Sequence, residues 1–158
     1  MTKAGFYRIL CVVILGVFIA FSLSSEKEIG KTAPQIMEQI VADTEIKELT
    51  EGDISHLEEA FGIERADIDS FGYLRSEDIM NVRELAVIKV KEGVDAKKIA
   101  DTVNEALEEK YNTYKDYDAD AAAIIKSRTV KSRSGVVFCA VHESAAAAYE
   151  AFRKSLKN

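Results

Sequence analysis

The chain has 158 residues, of which 47% are hydrophobic and 30% charged, and its formal net charge is −6. This length fits one globular domain plus a short appendage, so a single core suffices. An acidic domain is a poor nucleic-acid binder, and we expect no nucleic-acid partner. The two cysteines, Cys11 and Cys139, lie in an apolar segment and in a predicted strand. They do not form a disulfide framework, so the core must be stable without one.

The N-terminal region contains an apolar segment that predicts export. Fifteen residues without a charge, from Ile9 to Leu23, follow Lys3 and Arg8. Counted as residues 6–23, the segment would span about 27 Å as a helix, slightly less than a hydrocarbon core of about 30 Å. It predicts either a single-pass membrane anchor or a signal peptide that is cleaved after the small residues that end it.

The distribution of charge predicts the orientation of the chain in the membrane. Only Lys3 and Arg8 of the 21 basic residues precede Glu26, whereas all 27 acidic residues lie from Glu26 onward; that part therefore carries 19 basic against 27 acidic residues, a net charge of −8. We expect the N-terminus inside and the rest outside the membrane. The predicted organisation is a membrane or signal segment at 1–25, a linker at 26–33 and an extracytoplasmic domain at 34–158.

Two helices are predicted before the first clear strand. Thr32 and Pro34 are typical of a helix start, and the helix should end near Asp43. Asp53 predicts the start of a second, shorter helix, and Gly62 its end.

The remaining elements alternate between strands and helices. Strands are predicted at Ile68–Leu74 and Leu85–Lys91, followed by a long helix from Asp95 to about Tyr114. A short alanine-rich helix at 120–126 then precedes a hairpin with arms at 128–131 and 135–141. The last helix covers about 145–156, and the apolar 136–141 strand should be central in the sheet.

These elements predict an α+β domain. Two N-terminal helices precede a four-stranded, mainly antiparallel sheet in which the order strand, strand, helix occurs twice. We expect the helices to cover one face of this sheet, and one N-terminal membrane helix to precede the domain.

No catalytic or cofactor motif is present in the sequence. Cys139 and His142 are three positions apart on a strand and so project to opposite faces. We interpret Cys139 as a buried apolar side chain and His142 as a solvated turn residue. With two scattered histidines and no glycine-rich phosphate loop, the sequence indicates no zinc site, nucleotide site or other cofactor.

Two clusters are candidates for ligand binding. Asp116, Asp118 and Asp120 alternate as at the start of a calcium loop, although Ala121 and Ser127 replace the residues that would complete it. The other interpretation is a helix cap in a solvated bend. The second cluster is basic and surrounds the predicted hairpin: Lys126, Arg128, Lys131 and Arg133. It could bind anionic lipid or wall polymer, or protect an edge strand from pairing with other chains.

Several stretches resemble a known bacterial family. They are Phe61–Ile63, the strand Arg83–Lys91, the long helix up to Tyr117, and Gly135–Phe138. The chain resembles domain of unknown function 4358 over roughly residues 34–156. The resemblance implies an exported protein of Firmicutes, often membrane-anchored or a lipoprotein, with no established activity. This chain lacks a suitably placed lipoprotein cysteine, and the resemblance transfers no active residue.

The sequence favours a non-enzymatic module that lies outside the membrane and binds an envelope component or a membrane protein. The alternative is an envelope hydrolase whose carboxylates, such as Asp67, Asp69 and Asp78, converge only in the fold. A structural or assembly role in a secretion or sporulation apparatus is a third hypothesis. The location is the cell membrane, or the exterior if the segment is cleaved.

Overall fold

The computed structural model describes Val13 and residues 29–157. Apart from Val13, the predicted membrane segment lies outside the described residues. Within the part that is described, no helix has both the length and the apolar character needed to cross a membrane.

Residues 29–157 form ten helices and strands, together with a short 3₁₀ turn at Arg65–Asp67. In chain order they are α1 (Ala33–Asp43), β1 (Thr50–Glu51), α2 (Ile54–Phe61), β2 (Ile68–Arg75), β3 (Glu84–Val90), α3 (Ala96–Tyr114), α4 (Ala119–Lys126), β4 (Thr129–Arg133), β5 (Val136–Val141) and α5 (Ala145–Ser155).

The five strands form one antiparallel sheet in the order β1-β2-β3-β5-β4. The α+β class and the antiparallel pairing are as predicted, but the sheet has one strand more than expected. β1 is only two residues long, so it leaves no alternation in the sequence from which to predict it. β5 is an interior strand and all six of its residues are buried, in agreement with its predicted central position.

The helices cover both faces of the sheet, which corrects the prediction that they cover one. Ala86 and Ile88 of β3 pack on the face occupied by α2, α3 and α4. Leu85 and Val87 of the same strand pack on the other face, against α1 and α5. β3 and β5 are apolar at nearly every position because each belongs to two cores.

The order strand, strand, helix does occur twice along the chain, but the two units differ in space. α3, which follows β3, lies on the face that contains Ile88. α5, which follows β5, lies on the opposite face with Phe138. The sequence does not distinguish these outcomes because β5 offers an apolar surface on both sides.

Capping residues define the helix boundaries as predicted. The Asp53 carboxylate accepts a hydrogen bond from the amide of His56 at 2.9 Å, and the Asp95 carboxylate accepts one from Lys97 at 2.9 Å. Gly62 ends α2 with a φ of 65°, a left-handed conformation that glycine adopts at little cost.

The first and last helices of the domain pack against each other on one face of the sheet. Just before α1, the Lys31 ammonium donates to the main-chain oxygen of Ser155 at 2.8 Å. The two ends of the folded domain therefore lie side by side.

Candidate functional site

A groove with a volume of about 790 Å³ lies between α1 and the outer edge of the sheet. One wall is a stripe along α1, at positions that share a helix face. The other wall is β1 and the segment leading into it, and β2 forms the floor. The lining residues are Pro34, Met37, Glu38, Val41, Ile46, Lys47, Leu49, Glu51, Gly52 and Phe71–Leu74. We call this concavity the β2-edge groove.

Within residues 29–157, part of the outer edge of β2 in this groove has no strand beside it. β1 pairs with β2 only at Arg75 and Leu74, and the Gly52 amide adds one hydrogen bond to the Tyr73 carbonyl at 2.9 Å. Main-chain groups of alternate residues point to the same side of a strand. The main-chain carbonyl of Tyr73 points outward to β1. The main-chain groups of Phe71, two residues earlier, therefore also point outward, at a position beyond the end of β1. Its amide and carbonyl therefore face the groove.

The position of α1 along this edge depends on a glycine. A Cβ atom added at Gly72 would lie 2.9 Å from the Met37 Cβ atom, which is closer than such atoms approach in proteins. The absence of a side chain at Gly72 therefore lets α1 pack directly on β2. The α1 wall of the groove consequently stands close beside the strand edge.

Acidic side chains lie on both walls of the β2-edge groove. Glu38 projects from α1 and Glu51 belongs to β1, whereas Lys47 is the basic residue that lines it. Met37, Val41 and Leu49 supply apolar surface between them. The groove thus combines an apolar interior, an acidic rim and exposed main-chain groups.

A second, smaller pocket of about 320 Å³ lies where β2 and β3 meet the loop between them. At its base the Tyr73 hydroxyl donates to Glu84 Oε2 at 2.6 Å, and the Lys110 ammonium lies 2.8 Å from Glu84 Oε1. Glu84 is buried, so these two partners satisfy a carboxylate that would otherwise be costly to bury.

The polar groups at the base of this second pocket form a buried hydrogen-bond network in which each group has a partner. Burial and the neighbouring Glu84 carboxylate raise the pKa of the Tyr73 hydroxyl, which keeps it a proton donor. Burial likewise raises the pKa of the nearby Cys139 thiol, so that side chain is not an activated nucleophile. Cys139 is fully buried, as its position in an apolar strand predicts.

His142 is buried, which corrects its interpretation as a solvated turn residue. Its Nε2 atom lies 2.5 Å from Glu48 Oε1, and its Nδ1 atom accepts a hydrogen bond from the Ser144 amide at 2.9 Å. Glu48 is 94 positions earlier in the chain. Sequence reasoning missed this contact because the segment before β1 folds across the end of β5.

The three candidate calcium ligands do not converge. Asp118 accepts a hydrogen bond from the Ala121 amide at 2.9 Å and caps α4, as the helix-cap interpretation predicts. Asp116 and Asp120 are exposed before and within that helix. Nowhere in residues 29–157 do three acidic, histidine or cysteine side chains come close enough to hold a metal ion.

The four basic candidates do not form a single patch. Arg128 lies 2.8 Å from Glu108 on α3, and the Lys126 ammonium lies 6.0 Å from the centre of the Tyr111 ring. Lys131 and Arg133 alternate on β4 with Val130, which packs on the α3 side, so they project to the opposite face. The sheet separates the two pairs, and the basic surface expected around the hairpin is divided.

The carboxylates considered for a hydrolase do not all converge. Asp67 and Asp69 flank the start of β2, whereas Asp78 follows its other end. A strand of eight residues separates them by roughly 25 Å. Asp69 lies 3.9 Å from Lys89, and Asp78 accepts a hydrogen bond from the Met80 amide at 2.9 Å. Asp78 therefore does not converge with Asp67 and Asp69.

Sequence reasoning did not identify the β2-edge groove. Its most distinctive part is main chain, and main-chain groups leave no residue-specific signature. One signal was available: Pro34, Met37, Glu38 and Val41 occur at helical spacing on one face of α1. That spacing alone does not show which side of the helix faces an open edge.

The fold and the groove define a small α+β domain in which helices cover both faces of an antiparallel sheet and one sheet edge is partly open. A family model described as a domain of unknown function, DUF4358, matches residues 42–142. The chain belongs to this family, and the resemblance predicted from its strands and long helix is confirmed. Neither the curated proteins nor the solved structures include a match to the chain.

Proposed function

We propose that this protein is a non-enzymatic binding module that lies outside the cytoplasmic membrane and binds another protein of the membrane or envelope. The apolar residues 6–23 would anchor it, or would direct its export and then be cleaved. The basic residues before that segment and the acidic ones after it support this orientation. The family resemblance, which implies exported proteins, is consistent with it.

The observation that carries the proposal is the β2-edge groove. It offers an apolar interior bordered by Glu38 and Glu51, with unpaired strand edge at its floor. Apolar grooves with a few polar groups at their margins are typical ligand sites. The residues that line the groove include no activated nucleophile. This set of lining residues favours binding over catalysis.

Charge favours a protein as the ligand over an anionic envelope polymer. Glutamates stand on both walls of the groove, and the chain from Glu26 onward has a net charge of −8, with 19 basic against 27 acidic residues. A polyanion would be repelled by this field. The basic side chains around β4, which would attract a polyanion, are divided between two faces of the sheet.

Site-specific photocrosslinking in intact cells tests the proposal. A benzophenone amino acid would replace Glu38, which is exposed on the α1 wall. The matched control would carry the same group at Arg133, exposed on the opposite edge of the sheet. We expect a discrete adduct with one membrane or envelope protein from position 38 and none from position 133. Equal adducts from both positions, or none from position 38, would contradict the proposal.

Protease treatment of intact protoplasts tests the location independently. If the domain lies outside, a C-terminal tag on the chain is lost on treatment without lysis. Intact mass then shows whether the segment at 1–25 is retained. Protection of the tag would overturn the extracytoplasmic location.

A further inference from the structure

We infer that the β2-edge groove binds its partner as an extended strand that pairs with β2 beyond the end of β1. The partner segment would carry apolar side chains where it faces α1 and lysine or arginine at either end of that apolar stretch. This inference rests on the proposed function and names the class of partner.

The first support is the direction of the main-chain groups on β2. Gly52 donates to the Tyr73 carbonyl at 2.9 Å, and the Thr50 hydroxyl donates to the Arg75 carbonyl at 3.2 Å. Both contacts identify the residues of β2 that point outward. Phe71 follows in the same alternation, and its outward amide and carbonyl bond to no main-chain group of residues 29–157, so they can pair with an added strand.

The second support is that the chain's own strand cannot extend into this space. β1 ends at Glu51, and Asp53 already caps α2, so the main chain turns away after two paired residues. Gly72 lies in the part of β2 that β1 does not reach. It is half-buried, although its neighbours on β3 are fully buried. An added segment of about four to six residues would continue the line of β1.

The third support is the composition of the wall beside that edge. Side chains on one face of an added strand would meet Met37 and Val41 of α1, which favours apolar residues at alternate positions. Glu38 and Glu51 line the same groove, so they would pair with cationic side chains at either end of that apolar stretch. An acidic segment would be repelled by the same two carboxylates.

The other edge of the sheet differs in a way that supports this assignment. β4 spans five residues, and its exposed positions are Lys131 and Arg133. Charged side chains, lysine especially, are a common protection against pairing at an edge strand. The edge of β2 is instead protected against pairing with a second folded domain by its position at the floor of a groove. A single extended segment fits such a groove better than the edge of a second folded domain.

A defined peptide provides the probe. Fluorescein-labelled peptides of eight residues would be titrated against the full chain in a neutral detergent, with binding measured by fluorescence anisotropy. The test peptide has valines at its central positions and two lysines at each end. Its controls replace the lysines with glutamates, or replace two central residues with prolines that cannot donate main-chain hydrogen bonds. We expect binding of the first peptide, and at least about tenfold weaker binding of both controls.

One pair of variants isolates the main-chain contribution. Phe71→Pro removes the outward amide and the aromatic ring, whereas Phe71→Val removes only the ring. Proline is tolerated at an edge position whose amide does not serve the sheet. We expect Phe71→Pro to bind the peptide about tenfold more weakly than Phe71→Val, the effect of one lost hydrogen bond. Circular dichroism must show that both variants are folded.

A second pair of variants isolates the charge contribution. Glu38→Lys reverses a carboxylate on the groove wall, and Glu45→Lys makes the same change at an exposed residue outside it. Only Glu38→Lys should weaken binding, and it should do so less at high salt. Hydrogen exchange of the Phe71 amide in the wild-type chain should slow when the peptide is added.

The outcomes separate this inference from the proposed function. Equal binding by Phe71→Pro and Phe71→Val, or no protection of the Phe71 amide, would overturn strand addition. In that case, a specific adduct from position 38 in cells would still support the proposed function as a binding module. Preferential binding of the glutamate peptide would overturn the assigned partner chemistry. A self-adduct from position 38 would identify a second copy of this chain as the occupant, and would also overturn it.

Discussion

Tyr73 and Glu84 join neighbouring strands through a buried hydrogen bond, in which the tyrosine hydroxyl donates to the carboxylate at 2.6 Å. The same tyrosine has its carbonyl bonded to Gly52 of β1. One residue therefore links the second pocket to the wall of the β2-edge groove. Its ring also packs edge-on against Phe61 of α2, at 5.8 Å between ring centres.

Removing the Tyr73 hydroxyl should destabilise the domain. Tyr73→Phe would leave the buried Glu84 carboxylate with Lys110 as its remaining partner, at a cost of about 1–3 kcal/mol. Urea denaturation at pH 7 measures this change in the free energy of unfolding. Tyr149→Phe is the control, because the Tyr149 ring packs on Phe138 and its hydroxyl bonds to none of the described residues. A loss as large for Tyr149→Phe would refute the role of the buried bond.

The ion pair between Arg83 and Glu143 should make stability depend on pH at the acidic end. The Arg83 guanidinium donates to both carboxylate oxygens and lowers the pKa of Glu143 to about 2. Because the pKa is lower in the folded state, the ion pair stabilises the domain at pH values above the unfolded-state pKa of about 4.3. This stabilisation is lost as the pH falls towards 2.

Glu143→Gln measures this contribution. Because the Glu143 side chain is 53% exposed, solvent screening should limit the loss at pH 7 to about 0.5 kcal/mol. The difference from the wild type should vanish near pH 2. Urea midpoints at several pH values provide the measurement, with Glu150→Gln on α5 as a control for removing a surface charge. A difference that stays constant with pH would be incompatible with the linkage.

His142 should carry its proton on Nε2 when the ring is neutral. The Ser144 amide donates to Nδ1, which must therefore be the unprotonated nitrogen, and Nε2 then donates to Glu48. The nitrogen chemical shifts of the ring at alkaline pH report this tautomer directly. The opposite tautomer would show that the contact between the segment before β1 and the end of β5 is formed differently.

Loss of the His142 ring should cost about 1–2 kcal/mol in His142→Ala, since two hydrogen bonds and a buried side chain are removed. His56→Gln, at the other histidine of the chain, should change stability by less than about 0.5 kcal/mol because that residue is exposed. Thermal or urea unfolding of the two variants provides the comparison.

Gly72 should tolerate no side chain. Gly72→Ala places a Cβ atom 2.9 Å from that of Met37 and must push α1 away from β2, at a cost of about 1–3 kcal/mol. Gly30→Ala is the matched control, because a Cβ atom there meets nothing within 4 Å. Equal stability of the two variants would show that α1 can move without cost. The change should also widen the β2-edge groove and alter peptide binding.

The sequence was most informative where local chemistry determines the structure. Asp53, Gly62 and Asp95 predict helix boundaries, because caps act over a few residues. The apolar stripe at Ile99, Val103 and Leu107 likewise predicts the buried face of α3. These features depend on neighbours in the chain, so a single sequence contains them.

The unpredicted features all depend on residues far apart in the chain. β1 exists because two residues meet Leu74 and Arg75, and His142 is buried because Glu48 crosses the end of β5. The face chosen by α5 is likewise a property of the assembled sheet. The groove combines these long-range effects, since its walls come from α1, β1 and β2. Its functional groups are largely main chain, and the sequence does not mark them.

The hydrogen bond between Lys31 and Ser155 closes the domain into a nearly circular path. A short linker could therefore join the two ends of the folded unit, and new ends could be opened at the hairpin of Ser134 and Gly135, where the turn is exposed to neither core. Such a permutant would keep every strand pairing and would lose only the chain connection between β4 and β5. In the native chain, the same proximity places Lys31 and Ser155, and so both ends of the folded unit, at one pole of the domain.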